Sequence, residues 1–409
     1  MKKVLIVGAG VVGLNTALQI HLNHGSSTEI TVVEKQTGPA AVSSFANGGQ
    51  VSVCNAAVWN TWGNVFKGFK WMLKADAPLR ISPTLTPHKI SWLRQFVSQI
   101  KNESENTEET LRIARASRQM YNDFINSNPF ELNSLLRGGI YKVYRTTKSL
   151  KNGIDEGFRF SEFGERTIIN DYNHGQYEVD SDDFEITNFH ELLANIKIGN
   201  LSSKIVGGVY YPDDFSFNLY EYCFKVYKFL EERGVKFRFN EYIMRGWDDQ
   251  FDLIIYCNGV EVNDVAHVHN VDVNVYPVKG YSVTYTLPAT VDLPVNTSIL
   301  DEDMKIVCSI FKQEHNTLLR VAGTAELDGF NYSYHENHPR IQLLHNWAVE
   351  QGLVDKTQKF MPYSCLRPMT PNMLPFIRRI SDKKIIHGGH GHLGQTLSME
   401  TARWVSNLI

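Results

Sequence analysis

Three glycines govern what the first forty residues can become. Gly8, Gly10 and Gly13 form G-x-G-x-x-G directly after the apolar run at 4–7, which reads as a strand buried on both faces. Gly8 permits the tight turn, Gly10 lets a pyrophosphate come close to the backbone, and Gly13 lets the next helix pack on the strand. Residues 11–22 repeat apolar side chains at helical spacing, and Gly25 supplies a stop. A second strand over 30–33 ends in Glu34, 21 residues past Gly13, where a carboxylate can accept both ribose hydroxyls of an adenosine. The pyrophosphate would sit on the helix N-terminus at Val11 and Val12, where unpaired N–H groups and the helix dipole favour an anion. Strand, glycines, helix, strand and acid in register predict a dinucleotide site. FAD and NAD are equally consistent with these residues. Met1-Lys2-Lys3 before an apolar run also resembles a secretory signal, but the chain continues through Asn15, Thr16 and Gln19 with no small-residue cleavage site.

Composition narrows the partners. The 409 residues carry 41 Lys plus Arg against 44 Asp plus Glu, a formal charge of −3 that provides no basic face for nucleic acid. Five scattered cysteines, Cys54, Cys223, Cys257, Cys308 and Cys365, show neither metal nor redox spacing. No metal is therefore expected, and a reduced, cytoplasmic compartment is. No apolar run reaches the roughly 18 residues of a membrane span. The segment 62–74 mixes aromatics with Lys67, Lys70 and Lys74. It is read as a helix packed on its own domain with lysines in water, the rival being a helix in peripheral contact with a membrane.

Helical spacing recurs at 64–74, 88–101, 108–127 and 215–233, and the acidic stretch NESENTEE (102–109) is read as an exposed turn. Alternating segments between 138 and 211 and again at 275–325 predict antiparallel strands, while 235–240, 252–259 and 384–387 read as further strands. The fold class expected is therefore α/β plus α+β. A discontinuous Rossmann-type nucleotide domain (1–85, 212–262 and 363–409) carries an inserted substrate domain (86–211 and 263–362) on a mostly antiparallel sheet.

Several segments in one order carry a resemblance. SSFANGGQVS (43–52), WMLKADAPLRISP (71–83), RGVKFRFN, YPVKGYSVT, LRVAGTAELDGF, LRPMTPNMLP and GGHGHLGQT together resemble the D-amino-acid oxidase superfamily of FAD enzymes. Within it, the bacterial D-amino-acid dehydrogenases are most similar. The resemblance implies FAD rather than NAD, and transfer of the substrate α-hydrogen as a hydride to the flavin. The resulting imino acid hydrolyses to a 2-oxo acid and ammonia. A glycine- or sarcosine-type amine oxidase and a flavin-fold protein without turnover are the alternatives. The electron acceptor is oxygen or a quinone, and the oligomeric state is not readable.

Residue by residue, Arg367 matches the arginine that holds the substrate carboxylate, a job suited to a planar guanidinium. His390 matches a histidine near the ring, and His392 stands where the dehydrogenases carry threonine. Gly391, Leu393, Gly394, Gln395 and Thr396 form a turn and helix start facing the flavin edge where negative charge develops. Glu34 with Lys35 matches the adenosine-ribose contacts, Ser43 with Ser44 the pyrophosphate contacts, and Gly48, Gly49 and Gln50 the flavin contacts. Ile243 matches the adenine position, and Gly259 closes a strand beside the cofactor. Cys365 replaces a glycine, and its spacing resembles the sarcosine oxidases whose cysteine is bonded to the flavin. Covalent flavin and an inert buried thiol are both open. Lys279 in PVKGY is either near the flavin or an ordinary paired lysine.

Overall fold

The computed structural model describes residues 1–71, 78–171, 184–186, 204–243, 246–291, 293 and 297–409. Two sheets organise it, and each follows from its strand chemistry. Residues 4–6 and 253–255 are apolar and fully buried, so their strands need neighbours on both edges and cover on both faces. The strands Lys236–Phe239, Thr28–Glu34, Lys2–Val7, Leu253–Tyr256 and Lys384–Gly388 pair in that order, all parallel, and Phe376–Ser381 closes one edge antiparallel. Crossover connections are obligatory between parallel strands. The chain therefore leaves this sheet after Thr28–Glu34 and again after Leu253–Tyr256.

The excursions build a ten-stranded sheet, antiparallel at most of its pairings. Its long members are Met361–Met369, Tyr276–Pro288 and Asn316–Leu327. The helix Pro339–Glu350 lays Ile341, Leu344 and Trp347 on one face of this sheet. The fold class matches the expectation: a parallel nucleotide-binding layer and a mostly antiparallel layer from interleaved stretches of chain.

Four helices meet under the first sheet: Val11–His24, Glu103–Asn126, Leu219–Glu231 and Gly394–Ser406. Their junction is mostly apolar, with one polar hub. Asn15 donates to Tyr121 Oη and Ser398 Oγ, each at 2.9 Å, and accepts from Tyr222 Oη at 2.8 Å. Satisfied in this way, the buried amide fixes the four helices in one register without leaving a lone polar group.

Several elements differ from the expectation. NESENTEE is no turn, because Glu103 and Glu105 open the helix Glu103–Asn126, where acidic side chains favour the N-terminal dipole. Asn106 and Thr107 within it are buried. The helix read over 215–233 starts only at Leu219, because Phe215–Ser216 pairs with Gln50–Val51 as a short strand and Asn218 caps the helix. A helix at Thr147–Ser161 interrupts the stretch read as strands. The boundary expected at 363 falls inside Met361–Met369, which pairs with Tyr276–Pro288 in the large sheet. Similarly, Leu79–Ile81 pairs with Asn316–Leu327 although the boundary expected at 85 places it with the nucleotide part. The basic helix spans Trp62–Trp71, and Lys74 lies outside the described residues.

A Cβ added at Gly13 would overlap the carbonyl oxygen of Gly8. Gly13→Ala should therefore destabilise by about 2 kcal/mol or more through overpacking. Gly63→Ala, with nothing nearer than 3.8 Å, should change stability by less than about 1 kcal/mol. Urea unfolding of both variants checks this.

Candidate active site

A single cavity of about 1030 Å³ connects the glycine turn with the large sheet. One wall includes Gly8, Gly10, Val11, Val12, Glu34, Lys35, Ile243 and Gly259. Another includes Ser43, Ser44, Gly48, Gly49 and Gln50. A third brings in Cys365, Arg367, His390, Gly391, His392, Gly394 and Gln395. Gly13, Leu393 and Thr396 are not in the wall. Gly13 packs against Gly8, Leu393 sits in an apolar cluster, and Thr396 accepts the Ser52 N–H at 3.1 Å. The volume lies at the upper end of the roughly 300–1,000 Å³ usual for one ligand, which leaves room for a dinucleotide and a small substrate.

The glycine turn fits a diphosphate. Gly8 has φ 106°, and a Cβ there would stand 2.6 Å from the carbonyl oxygen of Cys257. Gly10 precedes the helix Val11–His24 in an extended conformation and offers no side-chain cap, so the first turn stays open to an external acceptor. Ser44 Oγ accepts the Val11 N–H at 3.1 Å from the edge of that turn. Glu34 is held at the strand end by the Ala9 and Gln36 N–H groups at 2.8 and 2.9 Å. Lys35 pairs with Glu261, so its charge is matched at this end.

Arg367 lies on the strand Met361–Met369, opposite Val278. Its Nη1 donates to the carbonyl oxygen of Thr324 at 2.6 Å, and its Nη2 to that of Gly323 at 3.3 Å. Among the described residues it forms no salt bridge, so its charge is not cancelled by a carboxylate. His392 stacks on Trp59, with centroids 4.5 Å apart and planes 27° from parallel. Burial, helped by the nearby cations Arg367 and Lys305, pushes its pKa down to about 3, so the ring is neutral at physiological pH. His390 is also pushed down to about 3 by burial, and its Nε2 shares a hydrogen bond with Thr401 Oγ1 at 2.9 Å. Both imidazole rings of the loop thus stay uncharged beside a guanidinium that has no acidic partner among the described residues.

Burial raises the Cys365 thiol above its usual range, with Arg367 opposing. Lys279 is absent from the cavity wall; it is buried and donates to the carbonyl oxygen of Ser333. Sequence reasoning missed Trp59, Thr324, Gly280 and Asp214. The fully buried Asp214 accepts from the N–H groups of Val53 and Cys54 at 3.1 and 3.0 Å and from Arg118 at 2.8 Å. It thereby anchors the turn Val53–Asn55 beside the cavity. Only an Asp in a Tyr-Pro-Asp-Asp turn marks it in the sequence, a pattern that signals a turn rather than a buried anchor.

With this geometry in place, comparison with known proteins is decisive. The family model described as FAD dependent oxidoreductase (DAO) matches residues 3–408. The chain belongs to that family. FAD is accordingly its cofactor, and the chain is an oxidoreductase. D-amino acid dehydrogenase 3 of Mesorhizobium japonicum is 36% identical, covering 100% of this chain and 97% of the relative. A D-amino acid dehydrogenase of Neisseria meningitidis is 28% identical over 100% and 95%. Among solved structures, glycine oxidase from Bacillus cereus superposes with a TM-score of 0.69 at 16% identity, covering 100% of this chain and 94% of that one. L-alpha-glycerophosphate oxidase from Mycoplasma pneumoniae, solved with FAD bound, gives 0.64 at 15%, covering 100% and 95%. These two show the shared fold.

The buried histidines make this DAO-family chain acid-sensitive. Unfolded, each ring binds a proton near 6.5; folded, His390 and His392 do so only near 3. The unfolded state therefore binds more protons in between, and stability falls as pH drops from about 6.5 towards 3, by up to about 1.4 kcal/mol per pH unit per ring. Thermal melting between pH 7 and 5 should show the fall, and His390→Gln should make it shallower.

Proposed function

We propose that this chain oxidatively deaminates D-amino acids with apolar side chains, giving a 2-oxo acid and ammonia. The observation that carries the reading is Arg367, a guanidinium in the cavity wall with no salt bridge among the described residues. Two whole-length D-amino acid dehydrogenase relatives support the same chemistry. The glycine- or sarcosine-type alternative rests on fold likeness and is less well supported.

FAD, when bound, supplies the two-electron acceptor that takes the α-hydrogen with its bonding pair. The chain's residues would arrange that event. Arg367 holds the substrate carboxylate by paired hydrogen bonds and so fixes the α-carbon. His392, neutral and stacked on Trp59, adds a wall that does not repel an incoming amine, and His390 braces the loop through Thr401. Gly8, Gly10, Val11, Val12, Ser43 and Ser44 would hold the diphosphate, and Glu34, Lys35, Ile243 and Gly259 the adenosine. Gly48, Gly49, Gln50, Gly391, Gly394 and Gln395 would border the ring, with the start of the helix Gly394–Ser406 facing the edge that gains charge. Gly13, Leu393 and Thr396 support these groups from behind. The six-stranded-sheet side is thus assigned to the cofactor and the large sheet to the substrate.

The apolar preference rests on Trp59, Leu79, Ile81, Trp92, Leu93 and Phe96. They line the cavity and pack on the cluster containing Ala325 and Met369, next to Thr324 and two residues past Arg367. Even Trp92 spends its N–H on the carbonyl oxygen of Met369 at 2.9 Å. A charged side chain would meet no partner there among the described residues. Exposed Trp62, Phe66 and Leu85 lie at or near this end, and Leu85 also lines the cavity. They favour a quinone reached at a membrane surface over oxygen as acceptor. No helix among the described residues is long and apolar enough to cross a membrane.

Under anaerobic conditions, D-leucine and D-phenylalanine should bleach the flavin absorbance faster than D-aspartate or D-lysine. An unchanged spectrum across a panel including glycine and sarcosine would sink the assignment. Arg367→Met should lower kcat/KM by about 100-fold, the worth of two charge-assisted hydrogen bonds. For Cys365 we propose a non-covalent neighbour of the ring, since a thiol held protonated is a poor nucleophile. Acid precipitation should leave all the flavin in the supernatant.

A further inference from the structure

We propose that a β-bulge in the large sheet is a built receptor for the Arg367 guanidinium, with Gly280 and Thr324 as its positioning residues. The inference rests on the reading of Arg367 as the carboxylate anchor and explains what aims it.

The bulge is visible in the register. Tyr281 pairs with Gly323 and Lys279 pairs with Glu326, so Gly280 alone stands opposite the two residues Thr324 and Ala325. Such an insertion releases backbone groups from the ladder and re-aims them. Both N–H groups of the bulge are taken up elsewhere: Thr324 donates to the carbonyl oxygen of Lys305 at 3.1 Å, and Ala325 to that of Pro78 at 2.7 Å. The carbonyls of Gly323 and Thr324 then accept from Arg367, which reaches them from Met361–Met369 over Gly280 of the intervening strand Tyr276–Pro288, at 3.3 and 2.6 Å.

Two further observations mark this as a designed socket. Thr324 has φ 56°, a left-handed conformation that a β-branched residue adopts only where its surroundings impose it. Its hydroxyl is buried with no hydrogen-bond partner, so the side chain does not explain the conformation. Across the bulge, a Cβ on Gly280 would overlap Nη2 and Cζ of Arg367. The guanidinium therefore occupies the space that any other residue at 280 would fill.

The chemical consequence is specific. A carboxylate partner would orient the arginine but cancel its charge. Two neutral carbonyls orient it while leaving the full positive charge, and the N–H groups they do not use, for a substrate carboxylate. The guanidinium's fork shape is required for both tasks at once. An ammonium has no such fork.

The test uses FAD-loaded enzyme and propionate as a carboxylate probe, measured as a competitive inhibition constant against a D-amino acid. Gly280→Ala should raise that constant and KM at least 10-fold, with kcat lowered less than 3-fold and the flavin spectrum retained. Arg367→Lys, which disturbs folding less, should also weaken propionate at least 10-fold although the charge is kept. Propionate binding within 2-fold of the unaltered enzyme in Arg367→Lys, or in a flavin-loaded Gly280→Ala, overturns the socket. Arg367→Met separates the two levels. If it too leaves propionate binding unchanged, the anchor reading itself fails; if it abolishes binding while the other two do not, only the socket fails.

Discussion

The glycine turn depends on two successive backbone contacts that leave no space for a methyl group. Gly13 sits against the carbonyl oxygen of Gly8, and Gly8 in turn against that of Cys257. These contacts pin the start of the helix Val11–His24 to the carboxyl ends of two adjacent parallel strands. Because the second of those strands is Leu253–Tyr256, the turn is complete only when a segment more than 200 residues away has docked. The strand Lys384–Gly388 must then add beside it before the loop 388–394 can face the glycines. Local chemistry and long-range pairing are therefore the same requirement here.

Electrostatics follows the same economy. Along the cavity wall Lys35 is matched with Glu261 and Lys305 with Glu302, while His390 and His392 are kept neutral by burial. Arg367 is left as the charge that no acidic side chain among the described residues balances. A small zwitterion presenting a carboxylate is the complement of such a wall. Opposite charges within reach of the same cavity would compete for that role, and the pairing removes them. Beneath the wall, Asp214 shows the converse case: its carboxylate is fully enclosed, but Arg118 and two backbone N–H groups satisfy it.

Much of this was legible in the residues because it depends on local rules. The glycine turn, the acid at 34 and the strand–turn–helix at the carboxyl end follow from spacing, and the resemblance singled out Arg367, His390 and His392, which line one cavity. What stayed hidden depends on pairing across the chain. Gly280 reads as an ordinary glycine in PVKGY until Met361–Met369 is laid beside it. Thr324 reads as a good strand residue until the register slips by one. NESENTEE reads as a solvated loop by composition, yet its glutamates suit a helix start and Asn106 and Thr107 pack inward. The side chains of Leu393 and Thr396 turn away from the cavity, Leu393 into an apolar cluster and Thr396 onto the Ser52 N–H.

The strand Met361–Met369 carries Arg367 within the large sheet, and its last residue forms an isolated bridge to His390 in the loop after Lys384–Gly388. The carboxylate anchor and the loop assigned to the flavin edge are thus tied to each other within a few residues of backbone. On that assignment the site behaves as a gauge of fixed span. An amino acid whose reactive carbon lies one bond farther from its carboxylate would be held at the anchor yet overshoot the ring, so discrimination against β-amino acids is built into the framework rather than into any pocket that recognises a side chain.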